Sequence, residues 1–160
     1  MADTNIVQAL DAVAAIQAAV SVTFSDGTVQ QVTHAYPYGE WTITSVNLPF
    51  FVNVTQGGPT NFAATPGLQS VDNIVQMYLC LWPSAQGRSK EMSLRYVLEW
   101  RDAVFSAFAL KMRLGGSMSF IKQAFIQHWD YGVYTIGQSE YWAIRFELKL
   151  DEAFVLAVGE

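Results

Sequence analysis

In the stretch EYWAIRFELKLDE, residues 140–152, every second residue from Trp142 to Leu150 is large and apolar. Because successive side chains of an extended chain point to opposite faces, this pattern predicts a strand with one apolar and one polar face. A slip of one residue would move every large apolar side chain into water, so the register of this strand is firmly set. The predicted apolar face is Trp142, Ile144, Phe146, Leu148 and Leu150, and the predicted polar face is Tyr141, Ala143, Arg145, Glu147, Lys149 and Asp151.

The polar face of this strand leaves two interpretations open. In the first, the strand belongs to a sheet that packs one face on helices and exposes the other to solvent, as antiparallel sheets commonly do. In the second, Arg145, Glu147 and Lys149, together with Tyr141, lie against a neighbouring subunit or a lumen.

The rest of the chain contains two helical patterns and several strand patterns. Apolar residues recur every three or four positions from about Asn5 through an alanine-rich segment, and again over 92–112. Asp26-Gly27 lies between two short strand patterns and indicates a type I′ hairpin turn. Together they predict one α+β domain over residues 1–160, with a mostly antiparallel sheet, two helices packed on one of its faces, and a β-hairpin. The strand candidates are 20–24, 29–32, 41–46, 50–54, 73–82, 120–131 and 140–151.

Two segments are predicted to be loops. Residues 34–41, HAYPYGEW, combine a proline and a glycine with three aromatic residues, which indicates an ordered loop. Residues 56–70, QGGPTNFAATPGLQS, have several glycine and proline breaks and no period, which indicates a long exposed loop. Because long loops in compact domains are often functional, we expect this one to make contacts in an assembly. The expected contact residues there are Gln56, Gly57, Gly58, Asn61 and Phe62.

The charge distribution excludes one class of function. Charged residues make up only 14% of the chain and apolar residues 51%, which indicates either a large core or self-association, since about 25% charge is typical. No lysine or arginine precedes Arg88, and without a basic patch we do not expect a protein that grips nucleic acid. Cys80, the only cysteine, lies in an apolar run and is predicted to be a buried thiol.

Patterns that would indicate secretion, a membrane span or catalysis are weak. The sequence shows no signal-peptide pattern and no run of the roughly 20 apolar residues that a membrane span needs, so we expect a soluble protein made in a cytoplasm. Residues 115–119, GGSMS, lack the final glycine of a nucleophile elbow. His128 and Asp130 share a predicted strand face, but two ligands do not make a metal site. We therefore predict no enzyme, no metal and no cofactor.

Five features, taken in order, resemble the tail terminator (tail-completion) proteins of tailed bacteriophages. They are the short N-terminal helix, the LPFF step at 48–51, the VQMYLCLW strand at 75–82, the long amphipathic helix ending near Gly115-Gly116, and the YWAIRFELKLDE strand at 141–152. The resemblance implies a virion structural protein that forms a ring, commonly a homohexamer, at the tail–neck junction. Such a ring ends polymerisation of the tail tube and joins the tail to the head.

The same resemblance implies a set of partners and a location. The partners are further copies of the chain, the tail tube protein and a neck or connector protein, with DNA passing through the lumen without specific binding. No membrane is involved. The implied location is the virion, after assembly in the host cytoplasm.

Other interpretations of the residues stay open. Another neck, head-closure or tail-tube-like component would have a similar fold but would lie at a different level of the particle. A small monomeric ligand-binding module would line a pocket with the aromatic residues of 36–41 and Trp129. An enzyme would require Ser117, His128 and Asp130 to act together.

Overall fold

The computed structural model describes residues 5–39, 48–57, 60–62, 68–85, 90–109, 111, 114 and 120–155. Within these ranges the chain forms two helices and eight strands. The helices are α1 (Asn5–Ala18) and α2 (Lys90–Ala109). The strands are β1 (Ser21–Thr23), β2 (Val29–Gln31), β3 (His34–Tyr36), β4 (Phe50–Gln56), β5 (Thr60–Phe62), β6 (Leu68–Pro83), β7 (Ile121–Ile136) and β8 (Ser139–Val155).

The described strands of the main sheet have the order β3-β4-β6-β8-β7, with β5 paired to the first part of β6. Strand β3 runs parallel to β4, and all the other pairings are antiparallel. Strands β1 and β2 form a separate antiparallel hairpin. The predicted α+β fold with a mostly antiparallel sheet and a hairpin is therefore confirmed.

Both helices pack on the same face of the main sheet, which we call the helix face. Apolar side chains of α1 and α2 form one core there with alternate residues of β4, β6 and β8. Ile144, Phe146, Leu148 and Leu150 are fully buried in this core, and Trp142 is half-buried at its end. Each such side chain contributes roughly 1.5–3 kcal/mol before conformational entropy is counted, so the alternation along β8 decides which face the helices cover. Neither described helix combines the length and the apolarity needed to cross a membrane.

A polar contact joins α1 to β4 inside this core. Gln17 and Asn53 are both fully buried. Gln17 Nε2 donates to Asn53 Oδ1 at 2.7 Å, and Asn53 Nδ2 donates to Gln17 Oε1 at 2.9 Å. A buried amide group without a hydrogen-bond partner would cost free energy, and here each amide provides the partner of the other. The pair therefore fixes the position of α1 along β4.

The Asp-Gly turn forms a hairpin, but the predicted turn type is wrong. Only Gly27 has a positive φ, at 88°, whereas a type I′ turn also requires a positive φ at Asp26. Gly27 N–H donates to the Phe24 carbonyl at 2.9 Å and Phe24 N–H donates to the Thr28 carbonyl at 2.8 Å, the pattern of a three-residue loop closed by a glycine bulge. The hydroxyl and the N–H of Thr28 donate to the Asp26 carboxylate and lower its pKa.

Both segments that were predicted to be loops contain strands. His34–Tyr36 forms β3 beside β4, and Thr60–Phe62 forms β5 beside β6. Pairing with a neighbouring strand has overridden the local preference of nearby glycine and proline residues for turns. The predicted strand at 41–46 lies outside the described residues.

The last two strands are longer than predicted and form one long hairpin. Strands β7 and β8 are joined by Gly137-Gln138, with Ile136 opposite Ser139. Gly137 has a φ of 63°, as the first position of a type II′ turn requires. Because each strand offers the other a continuous backbone partner, regular pairing continues well beyond the predicted end at Tyr131.

Candidate interaction surface on the open face of the sheet

The face of the main sheet away from the helices, which we call the open face, carries the predicted polar side of β8. At one end of this face, apolar side chains form a cluster that is buried within the subunit. Tyr141 is fully buried there, with its ring edge-on to Phe50 and the ring centroids 5.4 Å apart. The position of Tyr141 does not support its predicted contact role, because a side chain inside the subunit is not available to a partner. The cluster consists of Phe50, Val52, Cys80, Ile136, Tyr141 and Ala143.

A polar network around Asp130 lies on the β7 side of the open face. Arg145 lies opposite Asp130 across the β7–β8 pair and forms an ion pair with its Oδ2, while the Tyr134 hydroxyl donates to Oδ1. His128 Nε2 is 3.9 Å from the same carboxylate. The side chains of Arg145 and Asp130 are 33% and 34% exposed. Burial and the bond to Asp130 raise the pKa of Tyr134 to about 12, so this hydroxyl stays protonated and keeps donating at neutral pH.

A second ion pair lies further along β8. Lys149 Nζ is 3.6 Å from Asp72 Oδ2 of β6 and lies over the ring of Phe125 at 6.0 Å. Between the two cations, Glu147 accepts a long bond of 3.5 Å from Gln76 Nε2. Partly exposed ion pairs contribute only about 0–1 kcal/mol each, so their main effect is to neutralise the charges of this face locally.

The structure places Arg145, Glu147 and Lys149 on one face of β8, with partners that the alternation along this strand does not predict. These partners come from β6 and β7, which are distant in the sequence. One of these partners could have been predicted from the sequence. In a hairpin that turns at Gly137-Gln138, Asp130 and Arg145 are equally far from the turn and therefore lie opposite each other. No such local rule leads from β8 to Asp72.

The predicted contact residues of the 56–70 segment lie where β4 and β5 meet β6. Gln56 ends β4 and is exposed, and Gly57 follows it, with open space around the position of a side chain. Asn61 and Phe62 belong to β5. Gly58 lies outside the described residues.

Within the described ranges, the candidate residues named above do not come together as a metal site. Among the residues described, no three His, Cys, Asp or Glu side chains are grouped to hold a metal ion. His34 lies on β3, at the opposite edge of the sheet from His128. Ser117 lies outside the described ranges.

The aromatic residues proposed for a ligand pocket lie on different faces. Tyr36 packs against Phe50 on the open face, with ring centroids 5.9 Å apart. Trp129 lies on the helix face, where the Arg101 guanidinium sits 4.8 Å from its ring. Because the sheet separates them, these rings do not line one pocket, and Trp41 lies outside the described residues.

No protein-family model matches this chain, and no curated protein is significantly similar to it.

Proposed function

We propose that this protein is a virion structural protein that forms a ring at the head-proximal end of a phage tail tube, ends polymerisation of the tube and joins it to the neck. In this ring the open face lines the channel. The observation that carries the proposal is the pairing of both β8 cations, Arg145 and Lys149, by carboxylates of the same subunit.

Paired cations make the open face a poor surface for holding DNA. Nucleic acid is bound mainly by lysine and arginine side chains that neutralise phosphates and release counterions. Here Asp130 and Asp72 already neutralise the cations, and the chain carries a net charge of −5. A channel built from this face would therefore let DNA pass without retaining it.

The far end of the same face supports contacts between stacked rings. Gln56, the last residue of β4, and Gly57, which follows it, are exposed there, close to β5 in the sheet. Exposed backbone at a strand end can pair with a neighbouring chain. We assign this end to contact with the tube protein or the neck protein.

Three experiments test the ring and its place in the particle. Light scattering after size exclusion should give a single defined oligomer, and electron microscopy of the purified protein should show a closed ring. A stable monomer, both alone and in the particle, would contradict the proposal. Deleting the gene from its phage should give tails of uncontrolled length that fail to join heads. A ring found at another level of the tail or neck would instead support a head-closure or tube-like role.

A charge variant tests the channel. Asp130→Asn removes one negative charge and frees Arg145 on the open face. Asp102→Asn is a matched control, because it also removes one negative charge and frees Arg101, whose Nη2 is 2.8 Å from Asp102 on α2. We expect rings of the Asp130 variant to retain duplex DNA in a salt-dependent manner, and wild-type and Asp102 variant rings not to. Equal retention by the two variants would show that the open face does not line the channel.

A further inference from the structure

We infer that residues 128–136 of β7 form the edge to which the next copy of this chain adds its sheet, through the β3 edge of that copy. This inference rests on the proposed function, because it takes the oligomer to be a ring.

The first surface is the regular half of a long edge strand. Strand β7 has 16 residues and, in the described part of the chain, pairs only with β8. Its register shifts at Ile121/Gln123 and again at Ile126/His128. Bulges hinder the addition of a further strand to an edge. Residues 128–136 follow both bulges, pair regularly with β8, and contain no lysine or proline, the residues that commonly guard an edge.

The side chains beside this edge are apolar on the helix face. Val133 is 44% exposed and lies opposite Trp142 in β8. Tyr131 is half-buried and stacks on Trp142, with ring centroids 5.3 Å apart. A strand added to β7 would continue the sheet and cover Val133 and Tyr131, which gives the addition a hydrophobic contribution besides its backbone hydrogen bonds.

The second surface follows from the directions of the strands. Among the described strands, β3 lies at the opposite end of the sheet from β7 and runs parallel to β4, while the three pairings from β4 to β7 are antiparallel. Strands β3 and β7 therefore run in opposite directions. Joining β7 of one copy to β3 of the next makes an antiparallel pair with the helices on the same side of both sheets. Because the two edges differ, the contact is head-to-tail and every copy repeats it, as a closed ring requires.

The side chains at the two edges are compatible in size and charge. On the helix face β3 offers Ala35, which is small and leaves room for Tyr131 and Val133. On the open face β3 offers His34 and Tyr36. Since no lysine or arginine precedes Arg88, the β3 edge brings no lysine or arginine that would compete with Arg145 for Asp130.

Val133→Lys tests this contact, with Val54→Lys as a matched control. Both valines are 44% exposed, but Val54 lies on the open face of β4, away from the β7 edge. A charge on the inner side of an edge strand blocks strand addition. We expect light scattering to give rings for wild type and Val54→Lys, and a single-subunit mass for Val133→Lys with an unchanged circular dichroism spectrum.

The other outcomes overturn different statements. If Val133→Lys still forms rings, the assignment of the subunit contact to the β7 edge is refuted, whereas the proposed function is not. Loss of the ring in both variants would show that the effect of the added lysine is not specific to the β7 edge, and would overturn the assignment of the contact to that edge. A wild-type protein that is monomeric at all concentrations would refute the proposed function itself.

Cysteine cross-linking tests the same contact without relying on the lysine variant. Cys80 is fully buried, so disulfides between subunits can be assigned to the introduced cysteines. Ala35→Cys combined with Val133→Cys or Tyr131→Cys should give a ladder of disulfide-linked oligomers, and each single variant should give none. Covalent dimers from Val133→Cys alone would show two-fold pairing of β7 with itself, and would overturn the head-to-tail contact.

Discussion

The buried pair of Gln17 and Asn53 allows a direct test of how α1 is held on the sheet. Both side chains are fully buried, and two hydrogen bonds of 2.7 and 2.9 Å join their amide groups. Replacing Gln17 with leucine keeps a side chain of similar size, removes both bonds and leaves the Asn53 amide without a partner. Asn53→Leu does the same to Gln17.

The expected cost follows from these contacts. Two hydrogen bonds contribute about 1 kcal/mol each, and a buried amide left without partners costs about 1–3 kcal/mol. Because the two terms overlap in part, we expect each single variant to lower the free energy of unfolding by about 2–4 kcal/mol. In the double variant Gln17→Leu/Asn53→Leu no amide of this pair is left unpaired, so its loss should be smaller than the sum of the single losses by about 2 kcal/mol or more.

Urea unfolding, followed by circular dichroism, measures these differences. The protein concentration must be equal in all samples, since association contributes to apparent stability. Gln138→Leu, at an exposed glutamine in the β7–β8 turn, is the control and should change the free energy by less than about 0.5 kcal/mol. Strictly additive losses, or single losses below about 1 kcal/mol, would refute the view that this pair holds α1 in place.

Three further predictions concern titration and reactivity. Burial raises the pKa of Glu152, which is 2% exposed, so the free energy of unfolding should fall as pH rises from the unfolded-state pKa of about 4.3 through the raised value. Glu152→Gln should abolish this fall and be more stable than wild type at neutral pH in urea unfolding; parallel pH profiles would contradict this. Burial and the bond from Tyr134 to Asp130 raise the pKa of Tyr134 to about 12, so stability should also fall between about pH 10, where an unfolded tyrosine ionises, and about pH 12. Tyr134→Phe should remove one late-titrating group from the tyrosinate absorbance, and an unchanged titration curve would argue against a shifted Tyr134. Burial also raises the pKa of the Cys80 thiol, so a thiol reagent should label the protein only after unfolding, and rapid labelling of the native protein would disprove a buried Cys80.

Several features could be predicted from the sequence because they depend on local periodicity. Side chains alternate along any extended strand, so the residues of β8 that face the core follow from the sequence from Ile144 onward. Helix α2 was predicted at 92–112 and forms over Lys90–Ala109 for the same reason. Burial of Cys80 was also predicted and is confirmed.

Other features were decided only when strands distant in the sequence became neighbours. Tyr141 and Ala143 are buried on the supposedly polar side of β8 because β4 and β6 bring Phe50 and Cys80 beside them. Likewise, Lys149 finds Asp72 through the long-range register of β6 with β8. The periodicity of the sequence indicates on which side of a strand a residue lies. The neighbouring strands of the sheet determine whether that side chain is buried, ion-paired or exposed to solvent.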